Sequence, residues 1–235
     1  MSESPVAIVT GAGTGIGRET CLLLAELGYR LTLVGRRRDK LEATRDDIAA
    51  AGFGREVQIV AADLTEPASA TAIVSAADDT WGRVDCLVNN AGGVEMVPIE
   101  ETCDELLRRT FEVNTFSPAR LIAALWPIFR RQRCGCVVNV SSRATADPYP
   151  GLAAYAAAKS ALESLARSVL TEGRALGIRS YIVAPGAVET PMLRSLWTED
   201  ELPPSQAMPP RDVAQVVVDC ITGKREKDIG LTIRL

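Results

Sequence analysis

The chain has 235 residues, a formal net charge of −4, six cysteines and no histidine. Its length suits one large α/β domain or two small ones, and the missing imidazole excludes Ser-His-Asp and Cys-His hydrolases and H-E-x-x-H metal sites. Lys and Arg are dispersed except at Arg36-Arg37-Arg38 and Arg130-Arg131, which argues against nucleic acid or an anionic membrane as partner and for a small molecule.

The N-terminal run Met1-Ser2-Glu3-Ser4-Pro5 has no basic region followed by an apolar core, and no apolar run reaches the roughly 18 residues of a membrane span. A cytoplasmic protein is expected. The first strand is expected at Val6–Thr10, followed by Thr10-Gly11-Ala12-Gly13-Thr14-Gly15-Ile16-Gly17-Arg18 and then a helix over Arg18–Leu27. Glycines in this place let the backbone turn tightly and approach a pyrophosphate, whose charge is favoured by the helix N-terminus. The loop reads T-G-x-x-x-G-x-G rather than G-x-G-x-x-G, and implies a dinucleotide held by Gly11, Thr14, Gly15, Ile16 and Gly17.

The second strand, Leu31–Val34, leads into Gly35-Arg36-Arg37-Arg38. A site selective for NAD carries an acid about twenty residues past the glycine loop, where it bonds the ribose hydroxyls. That acid is missing here. Asp39-Lys40-Leu41-Glu42 reads as a capping box opening the helix Asp39–Ala51, which would occupy the Asp39 carboxylate. Arg36, with Arg37 beside it, is placed to make a charge-assisted contact with a 2′-phosphate, so NADP (NADPH/NADP+) is the expected cofactor.

Further short, β-branched runs at Val57–Ala61, Val84–Val88, Cys136–Val140, Ile178–Val183 and Ile229–Ile233 bring the expected strands to seven, with helical stretches such as Ala156–Leu176 between them. The fold class is therefore α/β, a Rossmann-type doubly wound parallel sheet. With no linker-like or low-complexity segment, residues 1–235 are expected to form one domain. Cys21, Cys86, Cys103, Cys134, Cys136 and Cys220 are scattered through these elements and are expected as reduced, buried small residues. No metal site is expected.

Tyr155 and Lys159 lie four apart in the alanine-rich segment Ala153–Ala161, so they share one helix face. A phenol is a poor base near neutrality unless positive charge stabilises its phenolate, and a lysine one turn away would supply it. Ser142, at the end of the strand running through Ser141, stands where a substrate oxygen should sit.

These motifs, with Asp63-Leu64, Asn89-Asn90-Ala91-Gly92, Asn114 and Pro185-Gly186-x-x-x-Thr190, run in an order that resembles the short-chain dehydrogenase/reductase family. The resemblance extends from residue 10 to about 191. It implies Tyr155 as acid/base, Lys159 lowering its pKa and binding ribose, and Ser142, thirteen residues before the tyrosine, polarising the substrate oxygen in preference to Ser141. It implies that Asn114 holds a water in a proton relay, that Asp63 contacts adenine, and that Asn90 lines the cofactor groove with Leu64, Ala91 and Gly92. Pro185, Gly186, Val188 and Thr190 would hold the nicotinamide carboxamide. A homodimer or homotetramer is implied, with dimer contacts through long helices near Asp104–Arg131 and Tyr155–Leu176.

The substrate would be a carbonyl or alcohol, read by the Arg143–Ala154 loop and by Val188–Pro209 with Met192, Leu193, Leu196 and Trp197, a partly apolar wall. Arg143 is a candidate for a substrate carboxylate, against an ordinary surface salt bridge. Two other functions stay open: a catalytically idle NADP-binding sensor or scaffold, and a nucleotide-sugar epimerase or dehydratase sharing the Tyr/Lys pair.

Overall fold

The computed structural model describes residues 4–53 and 56–235; Met1, Ser2 and Glu3 of the N-terminal run lie outside the described residues. Seven strands, β1 (Val6–Thr10), β2 (Arg30–Gly35), β3 (Val57–Ala61), β4 (Cys86–Asn89), β5 (Gly135–Val140), β6 (Ile178–Ala184) and β7 (Thr232–Arg234), pair in parallel in the order β3-β2-β1-β4-β5-β6-β7. The central strand shows why these runs become buried strands. Ala7 and Val9 face Leu24 and Val217 on one side, while Val6 and Ile8 face Ile73 and Leu125 on the other. Each fully buried aliphatic side chain of this kind is worth about 1.5–3 kcal/mol.

Those two layers are built by α1 (Gly15–Glu26), α2 (Arg38–Ala50) and α8 (Pro210–Ile221) on one face. On the other lie α3 (Ser69–Trp81), α5 (Ser117–Gln132) and α6 (Ala153–Gly173), with α4 (Asp104–Phe111) ahead of α5 and the short α7 (Pro191–Arg194) after β6. The register Ala7↔Cys86, Ile8↔Leu87 and Val9↔Val88 seats β1 directly against β4. The order reverses there, and the carboxyl ends of β1 and β4 diverge into loops that leave a crevice.

Three expectations about elements are corrected. The expected helix over Asp104–Arg131 is interrupted at Glu112–Phe116 by one π-helical turn, in which the Ser117 N–H bonds the Glu112 carbonyl five residues back. The fourth strand begins at Cys86 instead of Val84, because the Val84 N–H bonds the Gln132 side chain at 3.1 Å. The last strand covers Thr232–Arg234 instead of Ile229–Ile233. A 3-10 turn at Glu226–Asp228 precedes it, and Gly230, at φ +79, takes a left-handed bend that leaves its Cβ position 2.5 Å from the Leu170 side chain. Among the cysteines, Cys21, Cys86, Cys136 and Cys220 are buried as expected, whereas Cys103 and Cys134 are exposed at the junctions before α4 and after α5.

Candidate active site

A cavity of about 1070 Å³ opens along the carboxyl ends of the strands, running from the glycine loop to Trp197. At its first end the loop after β1 takes the shape expected of it. Gly11 and Gly15 have φ +65 and +54, and a Cβ on Gly17 would stand 2.2 Å from the Gly11 carbonyl oxygen, so a side chain there is barred. Thr14 is the N-cap of α1 without a side-chain capping bond, and no acid occupies the first turn. The open N–H groups and positive end of α1 thus face the cavity, an environment suited to a pyrophosphate.

Thr10 and Asn90 hold this loop to the end of β4. The Thr10 hydroxyl accepts the N–H groups of Asn90 and Ala91, both at 3.0 Å, while the Asn90 amide donates to the Thr10 carbonyl at 2.9 Å and the Gly11 carbonyl at 3.3 Å. Asn90 therefore lines the groove while its amide braces the loop. Thr10, unassigned in the sequence reading, is the second half of that brace.

Arg36, Arg37, Asp63 and Leu64 line the cavity beyond β2 and β3, joined by Lys40. The expected capping box is absent: Arg37 is the N-cap of α2 and Asp39 sits inside the first turn. The chain leaves Gly35 early enough that helical geometry starts at Arg38, and Asp39 is favoured there by the helix dipole. Its side chain is largely exposed, 4.0 Å from the Lys40 ammonium. Lys40, read as part of the box, instead contributes a third cation at this end. Asp63 accepts the Thr65 N–H at 2.9 Å and the Thr65 hydroxyl at 2.8 Å. Those bonds, chiefly the backbone one, and the nearby Arg36 charge hold its carboxyl below its ordinary value.

At the middle of the cavity α6, the loop after β5 and the π-helical turn converge. Ser142 lies two residues past β5 and caps a 3-10 turn at Arg143–Thr145, its Oγ accepting the Ala144 N–H at 3.2 Å. Tyr155 is half-buried on α6. Lys159 is 3% exposed, donates to the Val140 carbonyl at 2.9 Å and stands 5.7 Å from the centroid of the Tyr155 ring. Burial pushes the Tyr155 phenol up to about 12, with a hydrogen bond from Ser142 pulling the other way, and burial alone brings Lys159 down to about 8. In the ligand-free chain desolvation dominates both groups.

Asn114 sits within the π-helical turn and is fully buried. Its amide donates at 2.8 Å to both the Thr110 and Gly93 carbonyls, so both N–H groups are spent on backbone. Its Oδ1 accepts the Gly93 N–H at 3.4 Å and also faces Gly92: a Cβ on Gly92 would meet Asn114 Oδ1 at 2.8 Å and Lys159 Nζ at 3.4 Å. A small polar space between an acceptor and an ammonium is kept clear by the missing side chain.

Pro185, Gly186, Val188 and Thr190 line the same cavity after β6. The Thr190 side chain accepts the Leu193 N–H at 3.2 Å and caps α7, while the Pro185 carbonyl accepts the Arg143 N–H at 2.8 Å. The Arg143 side chain is half exposed and pairs with Asp147 at 3.4 Å. The substrate end is walled by Val113, Leu152, Met192, Leu196 and Trp197. Tyr149 meets Trp197 edge to face, centroids 5.4 Å apart, across the two loops. Arg109, also on the wall, is held in two 2.7 Å bonds by Glu95. Tyr149 belongs to the Arg143–Ala154 loop expected to read the substrate, whereas Glu95 and Arg109 carry no sequence motif and only packing brings them here. Among the described residues no group of three or more potential metal ligands forms, and no helix is long and apolar enough to cross a membrane.

A family model described as short chain dehydrogenase matches residues 5–201. The chain is 34% identical over 196 residues to 2,3-dihydro-2,3-dihydroxybenzoate dehydrogenase of Escherichia coli, covering 82% of this chain and 73% of that one. Among solved structures it superposes on an actinorhodin polyketide ketoreductase with NADPH at a TM-score of 0.91 and 26% identity, covering 100% and 97% of the two chains. It also superposes on a 3-ketoacyl-(acyl-carrier-protein) reductase from Brucella melitensis complexed with NADH, at 0.89 and 28%, covering 99% and 97%.

Proposed function

The chain belongs to the short chain dehydrogenase family, and from that premise we propose that it is an NADP-dependent oxidoreductase interconverting a carbonyl and a secondary alcohol. The observation that carries this reading is the convergence of Ser142, Tyr155 and Lys159 on one cavity whose other end is the glycine loop at the N-terminus of α1, with Asn114 buried behind its Gly92 wall. When bound, a nicotinamide dinucleotide supplies or accepts the hydride. Gly11, Thr14, Gly15, Ile16 and Gly17 would hold its pyrophosphate. Asp63, Leu64, Asn90, Ala91 and Gly92 line its groove, and Pro185, Gly186, Val188 and Thr190 frame the carboxamide end.

Tyr155 Oη holds the proton that reaches the carbonyl oxygen in reduction and takes the proton of the hydroxyl in oxidation. Ser142 Oγ bonds the same oxygen and opposes the cost of charge developing on it. Lys159 places an ammonium at the far side of Tyr155 and binds ribose, and Asn114 Oδ1 with the space at Gly92 completes a path by which that ammonium exchanges its proton.

The reading of the cofactor as NADP is supported by Arg36, Arg37 and Lys40, three cations lining the end of the cavity beyond β2 that would meet a 2′-phosphate, and by the lack of an acid at the end of β2. The solved neighbours include complexes with NADPH and with NADH, so the preference rests on these side chains. Residues 1–235 work as one catalytic domain, a cytoplasmic homodimer or homotetramer. The test is an NADPH-oxidation screen over aldehydes, ketones, quinones, keto acids and 3-oxoacyl thioesters. Turnover with one class supports the reading. NADPH binding without turnover of any class supports an idle sensor instead.

A further inference from the structure

Glu163 is a buried carboxylate that the chemistry above does not use. It lies on α6 one turn beyond Lys159 and two beyond Tyr155, and is 6% exposed. Its Oε1 accepts hydrogen bonds from the Ser141 and Thr145 hydroxyls, both at 2.8 Å, and its Oε2 accepts the Thr232 hydroxyl at 3.1 Å. The Thr145 hydroxyl also lies 2.9 Å from the Ser142 carbonyl, and its single proton favours the charged acceptor. The cation paired with Glu163 is Arg167 on the same helix, at 3.9 Å and half exposed.

A helix face packed on a sheet is ordinarily filled by apolar side chains, and a carboxylate buried there is costly unless its lone pairs are taken. Here one carboxylate ties together three segments distant in sequence. Ser141 and Thr145 stand on either side of Ser142 in the loop leaving β5, and Thr232 belongs to β7. The loop is thereby fastened at two points to the helix that carries Tyr155 and Lys159.

We propose that Glu163 is a positioning residue that sets the distance between Ser142 and Tyr155 by clamping both ends of the Ser142 loop onto α6. The proposal rests on the roles given above to Ser142 and Tyr155. The arm to Thr232 anchors the sheet edge, and the arm to Ser141 and Thr145 serves the chemistry. The amide of E163Q can keep Oε1 toward the two loop hydroxyls and turn its N–H groups to Thr232, so it preserves the clamp. Thr145→Val releases the far end of the loop while the Ser141 bond stays, and Thr232→Val cuts the arm to the sheet edge.

The experiment compares wild type, E163Q, T145V, T232V and Y155F for kcat, cofactor KM, the pH profile of alcohol oxidation and melting temperature. T145V is expected to lower kcat about tenfold, the worth of a hydrogen bond to a charged group, with cofactor KM within about twofold. The acid-side limb, on which Tyr155 loses its proton and activity rises, should move to higher pH as Tyr155 loses the fixed Ser142 hydroxyl. E163Q should stay within about threefold of wild type on the same ground. T232V should lose melting temperature while keeping kcat and the pH profile. Wild-type kcat and pH profile in T145V overturn the proposal, as does a T232V variant that reproduces the T145V changes, which would mark Glu163 as merely structural. Activity retained by Y155F overturns the underlying reading of the site, a result separate from either outcome.

Discussion

The Lys159 ammonium lies 5.7 Å from the centre of the Tyr155 ring, one helical turn away, while its hydrogen bond goes to the Val140 carbonyl at 2.9 Å. The lysine is thus anchored to the end of β5 and presents its charge to the phenol through space. Removing the Tyr155 hydroxyl leaves that anchor and the cofactor groove in place. Y155F is expected to lose at least about a hundredfold in turnover, the usual worth of a general acid/base, with NADP affinity within a few-fold in a binding titration. Activity above roughly a tenth of wild type would rule out the assignment on the same scale.

Burial brings Lys159 down to about 8 in the folded chain, against 10.5 for the unperturbed group. The folded state therefore binds fewer protons than the unfolded state between those values, and stability contributed by this group rises with pH across that window. Below about pH 8 the full cost of the buried charge is present. K159M removes it, so the stability of K159M relative to wild type should be greatest near pH 6.5. It should shrink by about 2 kcal/mol by pH 9.5, at 1.36 kcal/mol per unit. Urea unfolding of both ligand-free proteins across that range reads the difference, in which the other titrating groups cancel. A pH-independent difference would contradict a lowered Lys159.

Gly92 keeps clear the space between Asn114 Oδ1 and Lys159 Nζ. A methyl group at 2.8 Å from one and 3.4 Å from the other forces a shift of the kind that costs about 1–3 kcal/mol in packed interiors. G92A is expected to lower kcat about tenfold or more on that scale while the melting temperature falls by only a few degrees. Unchanged kcat in G92A would show that the space has no part in proton exchange.

Arg36 and Lys40 approach the expected 2′-phosphate from the end of β2 and the start of α2. R36A is expected to weaken NADPH binding about tenfold or more, the worth of a charge-assisted bond, and R36A/K40A further, with NADH affinity little changed. Paired titrations with both cofactors measure it. Equal wild-type affinities would defeat the cofactor assignment.

The substrate end is apolar, and its two arginines are already paired, Arg109 with Glu95 and Arg143 with Asp147. Uncharged, largely apolar carbonyl compounds should therefore be turned over better than keto acids of similar size. W197A, which removes the edge-to-face contact with Tyr149, should raise substrate KM severalfold with kcat nearly unchanged, as expected for loss of uniform binding. A keto acid as the best substrate would reverse this.

The sheet was legible because strands buried on both faces read as short runs rich in β-branched residues, and Val6–Thr10 shows little else. The glycine loop was legible because its geometry bars other residues. The π-helical turn was not: one extra residue barely disturbs the apolar period of Asp104–Gln132, and what marks it is Asn114 taking over the Thr110 carbonyl. The start of α2 depends on where the chain leaves β2, which a four-residue capping pattern does not encode. Glu163 reads in sequence as the polar stripe of a surface helix, and only the approach of Ser141, Thr145 and Thr232 turns it into a buried hub. Tyr149 and Glu95 gain their place from loops whose paths are decided by tertiary contacts, and Arg109, on α4, joins the wall through its pairing with Glu95.

The pairing of β1 with β4 carries a consequence for synthesis. Val6–Thr10 is made early, yet one of its two hydrogen-bonding edges is satisfied only by Cys86–Asn89. At about 5–20 residues per second that edge stays open for several seconds on the ribosome. An unpaired, largely apolar strand edge is a ready template for wrong pairing. Yield in a heterologous host should thus depend on elongation speed through the codons between these two strands and on chaperones that cover nascent strands, more than on the stability of the folded protein.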